Sequence, residues 1–205
     1  MAVINTSLRH DIEGTSYDAV LAHDDSHTAA QTVLVVHGME GRSDLQLEFA
    51  GALTEWGYQA VAVDLFGEEV TRGGMDATGA EMARFLDDRT ALAQRLAAVF
   101  TAVTAAPQVA GTQLAAIGFC FGGLCVLDLA RAGHPLAGVA LGREFSGRGI
   151  DWQLHAYGDT AHAFMAPWAD DPSRGILYSE SATRRAWTTL GHFLQECWDT
   201  DAAAH

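Results

Sequence analysis

Short apolar runs alternate with longer segments of helical periodicity along this chain. Several of the runs contain no alternating polar residues, a pattern typical of parallel strands buried on both faces. The predicted strands are residues 32–36, 59–63, 114–117, 136–141 and 152–157.

Helical periodicity fills most of the chain between and after these runs. The predicted helices are residues 43–56 with Ser43 as N-cap, 80–103, 123–130 and 181–198. Strands that alternate with helices indicate a mostly parallel sheet covered on both faces. Residues 7–22 have no helix between their halves, so we expect an antiparallel hairpin at the sheet edge. The predicted fold class is therefore α/β.

A G-x-C-x-G pattern, Gly118 to Gly122 with Cys120 at its centre, joins a predicted strand to a predicted helix. This pattern is typical of a nucleophile elbow, because side chains at the glycine positions would collide with the flanking strand and helix. The turn would present the Cys120 sulfur at the carboxyl edge of the sheet, where the helix N-terminus favours a thiolate. The amide of Phe121 would then face the reacting centre as an oxyanion donor. A buried thiol in a glycine-rich turn is the alternative.

The loop of residues 36–41 follows another predicted central strand and is expected to lie beside this elbow. Its amides, above all that of Met39, are candidates for the second oxyanion donor. An ordinary strand–helix loop is the alternative interpretation. His37 either contacts the thiol or caps the strand end, and we favour the second role.

The base for Cys120 is expected downstream, because elbow hydrolases follow the chain order nucleophile, acid, histidine. His162 lies in a loop just past the strand that ends at residue 157. His134 follows the elbow helix, His155 lies inside a strand and His192 lies in the last helix. His162 is therefore the predicted base, with a loop histidine that has no partner as the alternative.

Composition narrows the classes of function. The 205 residues are 49% apolar and no linker-like stretch divides them, so we expect one domain, 1–205. A net charge of −14 opposes phosphate backbones, and no nucleotide-binding pattern occurs, so we expect neither a nucleic-acid partner nor a cofactor. Cys120, Cys125 and Cys197 lack metal-ligand spacing and form an odd count, so we expect neither a metal site nor a disulfide framework.

Targeting signals are the next consideration. Residues 1–11 lack the apolar segment of a signal peptide, and no apolar run approaches the length that spans a bilayer. We therefore expect no membrane partner and a cytoplasmic location, where thiols stay reduced. The sequence leaves the oligomeric state open.

Several stretches of the chain resemble the dienelactone hydrolase family of the α/β-hydrolase superfamily. They are residues 33–37 with 41–44, 85–89, 115–123, and 151–158 running into 161–164. The resemblance implies an α/β-hydrolase fold and hydrolysis of a small ester or lactone through an acyl-enzyme. It implies Cys120 as nucleophile, His162 as base, and the backbone of Phe121 and Met39 as oxyanion donors.

Two departures from the family pattern concern acidic residues. The namesake enzymes carry a glutamate directly after the residue matching His37, where it helps to activate the thiol; this chain has Gly38 there and Glu40 two residues further on. The triad aspartate of the family, which lies in a motif such as His-Gly-x-x-Asp-Pro, also has no counterpart in this sequence. Glu144 follows a predicted strand and is the candidate acid, although the resemblance places it in a helix.

The segment around Glu144 is also short. Only nine residues, 142–150, separate the predicted strand 136–141 from Asp151, which borders the next predicted strand, whereas a parallel crossover needs about a dozen or more. We infer that a strand, its loops and a helix, roughly 25 to 40 residues, are missing or deleted near residues 142–143. Without its acid, the alternative function is a non-catalytic binding or interaction module.

Overall fold

Seven strands form one mixed sheet in the computed structural model, which describes residues 3–24, 31–110, 114–139, 151–152, 157 and 159–198. The spatial order is β1-β2-β4-β3-β5-β6-β7. The strands are β1 (Val3–Ile12), β2 (Thr15–Asp24), β3 (Thr32–Val36), β4 (Gln59–Val63), β5 (Leu114–Gly118), β6 (Leu136–Val139) and β7 (Asp151–Trp152). β1 and β2 form an antiparallel hairpin at one edge, and the strands from β4 to β7 in that order pair in parallel. The predicted fold class is confirmed.

Six α-helices accompany the sheet in the described ranges. They are α1 (Asp44–Thr54), α2 (Glu68–Arg72), α3 (Gly74–Asp87), α4 (Arg89–Thr104), α5 (Phe121–Arg131) and α6 (Glu180–Trp198). A small ribbon of β8 (Asp170–Asp171) and β9 (Ile176–Leu177) precedes α6. None of the helices in these ranges combines the length and apolar character needed to cross a bilayer.

One helix prediction was wrong in its extent. Residues 80–103 were expected to form a single helix, but Asp88 leaves the helical conformation at φ −117° and ψ 87° and separates α3 from α4. Its carboxylate accepts a hydrogen bond from the Ala91 N–H at 2.9 Å, which caps the start of α4. The capping interaction therefore divides the helix at Asp88, although the apolar periodicity of the sequence continues through it.

The core consists of two hydrophobic layers, one on each face of the sheet. Leu34 and Val36 of β3 pack in the layer that contains Phe85, Leu92 and Val126 of α3, α4 and α5. The alternate residues of β3 pack against α1 and α6 in a second layer, which includes Val33, Val35, Phe49, Leu53 and Leu194. Side chains of a strand point alternately to opposite faces, so β2, β3, β4 and β5 each contribute to both layers.

The strands β6 and β7 are parallel neighbours, with Gly138 opposite Asp151 and Val139 opposite Trp152. Their connection, residues 140–150, lies outside the described residues, as do residues 153–156. The two strands pair in parallel although their connection is short, so the length of the connection is no longer an argument for a missing segment. Comparison with the family is the argument that remains for a missing segment, which stays a prediction.

Candidate active site

Cys120 lies at a strained turn between β5 and α5. Its backbone has φ 55° and ψ −121°, a conformation that residues other than glycine rarely adopt. Hydrogen bonds from Gly122 N–H to Phe119 O at 2.9 Å and from Gly123 N–H to Cys120 O at 3.1 Å close the turn. The Cys120 side chain is exposed. The surrounding turn therefore holds the thiol at the surface at the end of a buried strand.

The two glycines of the pattern have no space for a side chain. A Cβ atom on Gly118 would lie 2.2 Å from the carbonyl oxygen of Gly122. A Cβ atom on Gly122 would lie 2.2 Å from the oxygen of Val36 and 2.7 Å from the oxygen of His37. The elbow is therefore pressed against the end of β3, and this contact places residues 36–37 beside the turn that carries Cys120.

Phe121 anchors the start of α5. Its side chain is buried, with the ring centroid 5.7 Å from that of Phe66 and 6.5 Å from that of Phe85. The first N–H groups of an α-helix have no partner within the helix. The aromatic packing thus fixes the direction of an amide that immediately follows Cys120.

His37 is fully buried, and backbone groups occupy both of its ring nitrogens. The N–H of Leu65 donates to Nε2 at 3.1 Å, so Nδ1 carries the proton and donates to the oxygen of Gly38 at 2.8 Å. Burial lowers the pKa of His37, which keeps the ring neutral. The ring thus joins the backbone that follows β3 to the backbone that follows β4, in agreement with the favoured structural role.

The loop after His37 carries Met39, whose side chain is exposed, and Glu40, whose side chain is half-buried. The Glu40 carboxylate folds back over the loop and accepts the Gly38 N–H at 3.1 Å. The side-chain amide of Gln46 in α1 donates to the same carboxylate oxygen at 2.6 Å. Sequence analysis missed this connection; the only signal is the position of Gln46, three residues after the helix N-cap Ser43.

His162 lies in an exposed loop that the small ribbon supports. Its N–H donates to the oxygen of Gly175 at 2.8 Å, and its oxygen accepts from the N–H of Leu177 at 3.2 Å. Ala163, the next residue, has φ 59°. Among the described residues, no side chain forms a hydrogen bond with the His162 ring. The backbone of this histidine is fixed, while its ring has no orienting partner in that part of the chain.

One hydrophobic layer connects the segments that carry Cys120 and His162. Phe119, one residue before Cys120, and Phe164, two residues after His162, both pack against the layer formed by α1 and α6. The rings of Phe49 and Phe119 have centroids 5.1 Å apart. The structure therefore anchors both segments on the same face of the sheet.

The acidic residues that lie between Cys120 and His162 in the sequence are the places to look for a triad acid. Asp128 forms ion pairs with Arg89 and, at 3.2 Å, with Arg131. Asp159 is exposed, and Glu144 lies outside the described residues. Across the ranges the structure covers, no group of three His, Cys, Asp or Glu side chains is arranged to hold a metal ion. Of the predicted site residues, the structure describes Cys120, Phe121, Met39 and His162, whereas Glu144 lies outside the described ranges.

Comparison with known proteins gives one family and one fold. The dienelactone hydrolase family matches residues 17–142, more than half of the chain. A dienelactone hydrolase-like promiscuous phosphotriesterase from metagenomic libraries is 24% identical, with a TM-score of 0.83 over 96% of this chain and 99% of its own. A solved protein described as m3DLH is 26% identical, with a TM-score of 0.82 over the same shares of the two chains.

A relative of known sequence is an uncharacterized protein of Caenorhabditis elegans. It is 27% identical over 149 residues, in an alignment that takes in 52% of this chain and 94% of the relative. The solved structures give this chain the α/β-hydrolase fold, and the matched residues include the elbow. The chain belongs to the dienelactone hydrolase family.

Proposed function

We propose that this chain is a cysteine hydrolase of small esters or lactones that acts through an acyl-enzyme. The observation that carries the proposal is the elbow, where an exposed Cys120 has a positive φ between two glycines that admit no Cβ atom. Family membership supports ester hydrolysis as the general activity. The geometry of the elbow supports the more specific proposal that Cys120 is the nucleophile.

In the proposed reaction, the Cys120 sulfur attacks the carbonyl carbon of the ester while His162 takes the thiol proton. The N–H groups of Phe121 and Met39 bind the oxyanion that forms. The tetrahedral intermediate collapses, the bond to the alcohol oxygen breaks, and His162 returns its proton to the leaving alcohol. A water molecule then attacks the thioester with His162 as base, which releases the acid and restores the thiol.

An absent triad acid is part of this proposal. Among the described residues no carboxylate forms a hydrogen bond with the His162 ring, and the gaps in the alignment with the Caenorhabditis elegans protein total about the length predicted for the missing segment. The alignment spans 149 residues but includes only 52% of the 205 residues of this chain, which is about 107. About 42 residues of the relative within the alignment therefore have no counterpart in this chain. Loss of an orienting aspartate lowers turnover by as much as ~10⁴ in serine triads, so we expect a slow enzyme.

The exposed, unpartnered ring of His162 also favours a second candidate, a binding or interaction module that retains the fold without the chemistry. Such a module has no need of an activated thiol. Turnover of an activated ester separates the two functions, because a module would release no product above the uncatalysed rate.

The test is the hydrolysis of para-nitrophenyl acetate by the wild type, Cys120→Ala and Cys197→Ala. Cys197 is a half-buried thiol at the end of α6 and provides the matched control. We expect Cys120→Ala to remove the activity and Cys197→Ala to retain it, with both circular dichroism spectra unchanged. Equal activity in the wild type and Cys120→Ala would reject the cysteine mechanism, and an inactive wild type would favour the binding module.

We propose in addition that the chain acts as one domain in the cytoplasm, with a small ester or lactone as its partner. A single sheet from β1 to β7 supports one domain, and the odd count of three cysteines supports a compartment where thiols stay reduced. Microscopy of a fluorescent fusion checks the location, and a discrete organelle or surface pattern would contradict it.

A further inference from the structure

The loop that follows β3 is held in place from two sides. On one side, Gly122 of the elbow packs against the carbonyl oxygens of Val36 and His37. On the other side, a Cβ atom on Gly41 would lie 3.0 Å from Thr71 Oγ1, so α2 packs closely against the end of the loop. Between these contacts lie Gly38, Met39 and Glu40, and the side chain of Glu40 forms the internal support of this short stretch.

The support is a side-chain hydrogen bond that closes a ring within the loop, together with the hydrogen bonds that hold this ring to α1. Glu40 Oε1 accepts from Gly38 N–H at 3.1 Å, which closes a ring around the peptide units on either side of Met39. Gln46, only 2% exposed, donates to the same oxygen at 2.6 Å. Gln46 is itself held by the N–H of Ser43, which donates to Gln46 Oε1 at 2.9 Å. The carboxylate is therefore fixed to the first turn of α1.

We propose that Glu40 is a positioning residue that directs the Met39 N–H toward the reacting centre; the inference rests on the proposed function. The Met39 N–H belongs to the peptide unit between Gly38 and Met39, inside the ring that Glu40 closes. Glycine has the greatest backbone freedom of any residue. Without the carboxylate, rotation about Gly38 turns this N–H away from the oxyanion.

The role requires a hydrogen-bond acceptor and not a charge. Glu40→Gln retains an oxygen that accepts from Gly38 N–H and Gln46 Nε2, whereas Glu40→Ala removes it. Loss of one oxyanion donor lowers kcat by about 10² to 10³ in a serine protease. We expect Glu40→Ala to lower kcat by about 10- to 100-fold with KM changed less than about threefold, and Glu40→Gln to stay within about threefold of the wild type.

A second variant tests the same contact from the backbone side. A Cβ atom on Gly38 would lie 2.7 Å from Glu40 Oε2, so Gly38→Ala displaces the carboxylate. We expect Gly38→Ala to lower kcat to a similar extent in the wild type and to cause no further loss in Glu40→Ala. Additive losses in the double variant would show that the two residues act independently.

The experiment is the kcat, KM and pH profile of ester hydrolysis for the wild type and the four variants. Reduced kcat in Glu40→Ala, recovery in Glu40→Gln and non-additivity with Gly38→Ala support the positioning role. Equal kcat in the wild type and Glu40→Ala overturns it and leaves the cysteine mechanism intact. A shifted pH profile with reduced kcat in Glu40→Gln overturns it in favour of a charge effect. An inactive wild type overturns the proposed function and, with it, this role.

Discussion

The substitution Gly122→Ala tests the elbow geometry through folding stability alone. The new Cβ atom would lie 2.2 Å from Val36 O and 2.7 Å from His37 O, whereas Cβ atoms essentially never come within 3.0 Å of such atoms. Both contacts are backbone atoms at the end of β3, a central strand paired on both sides with β4 and β5. The clash cannot be relieved by rotation of a side chain, so the elbow or the strand must move.

Overpacking of a core typically costs about 1–3 kcal/mol, and the fixed backbone places this variant at about 3 kcal/mol or more. For a domain of this size that corresponds to a fall in Tm of about 6–12 °C. Urea unfolding followed by tryptophan fluorescence measures the change. The matched control is Gly51→Ala within α1, where an added Cβ meets no atom within 4 Å.

The control should change stability in the opposite direction. Alanine is favoured over glycine inside a helix by about 0.5–1 kcal/mol, so Gly51→Ala should be slightly more stable than the wild type. A Gly122→Ala protein within about 0.5 kcal/mol of the wild type would refute the close approach of elbow and strand.

Three further outcomes follow from the same structure. Iodoacetamide should alkylate the exposed Cys120 faster than Cys125 or Cys197, because burial strongly raises the pKa of the Cys125 thiol and the Cys197 thiol is half-buried; equal labelling by peptide mapping would contradict this. Burial lowers the pKa of His37, so the unfolded chain binds the extra proton and stability falls as the pH drops below about 6.5, by at most ~1.4 kcal/mol per pH unit. Melts of the wild type and His37→Gln should show the steeper loss in the wild type, and parallel curves would exclude this cause. Glu144→Gln should leave kcat within about threefold, whereas a loss approaching ~10⁴ would identify Glu144 as the triad acid.

Local rules explain why much of the sheet was predictable from sequence. The apolar runs that became β3 and β4 have the predicted bounds, because strands buried on both faces contain few polar residues. The helix α2 has only five residues after a positive-φ glycine, Gly67, and gives no periodic signal. Asp88 divided a predicted helix because its side chain caps α4, an interaction that apolar periodicity does not detect.

In the candidate site, too, the features that depend on local contacts were predictable and those that depend on distant contacts were not. The elbow is predictable because its glycines are required by contacts within a few residues and with one neighbouring strand. The contact between Glu40 and Gly38 depends on the path of a loop, and the support of Glu40 by Gln46 depends on the start of α1. Among the described residues no carboxylate forms a hydrogen bond with the His162 ring, and such a contact depends on long-range packing, which the spacing of residues along the chain does not determine.

The most direct test of the cysteine mechanism is detection of the acyl-enzyme. The protein is mixed with para-nitrophenyl acetate, quenched with acid and digested, and the peptides are measured by mass spectrometry. We expect an acetyl group on the peptide that contains Cys120, formed within the first turnover and absent from the same peptide of Cys120→Ala. Ester hydrolysis without an acyl group on Cys120, or with the group on another residue in both proteins, would contradict the mechanism.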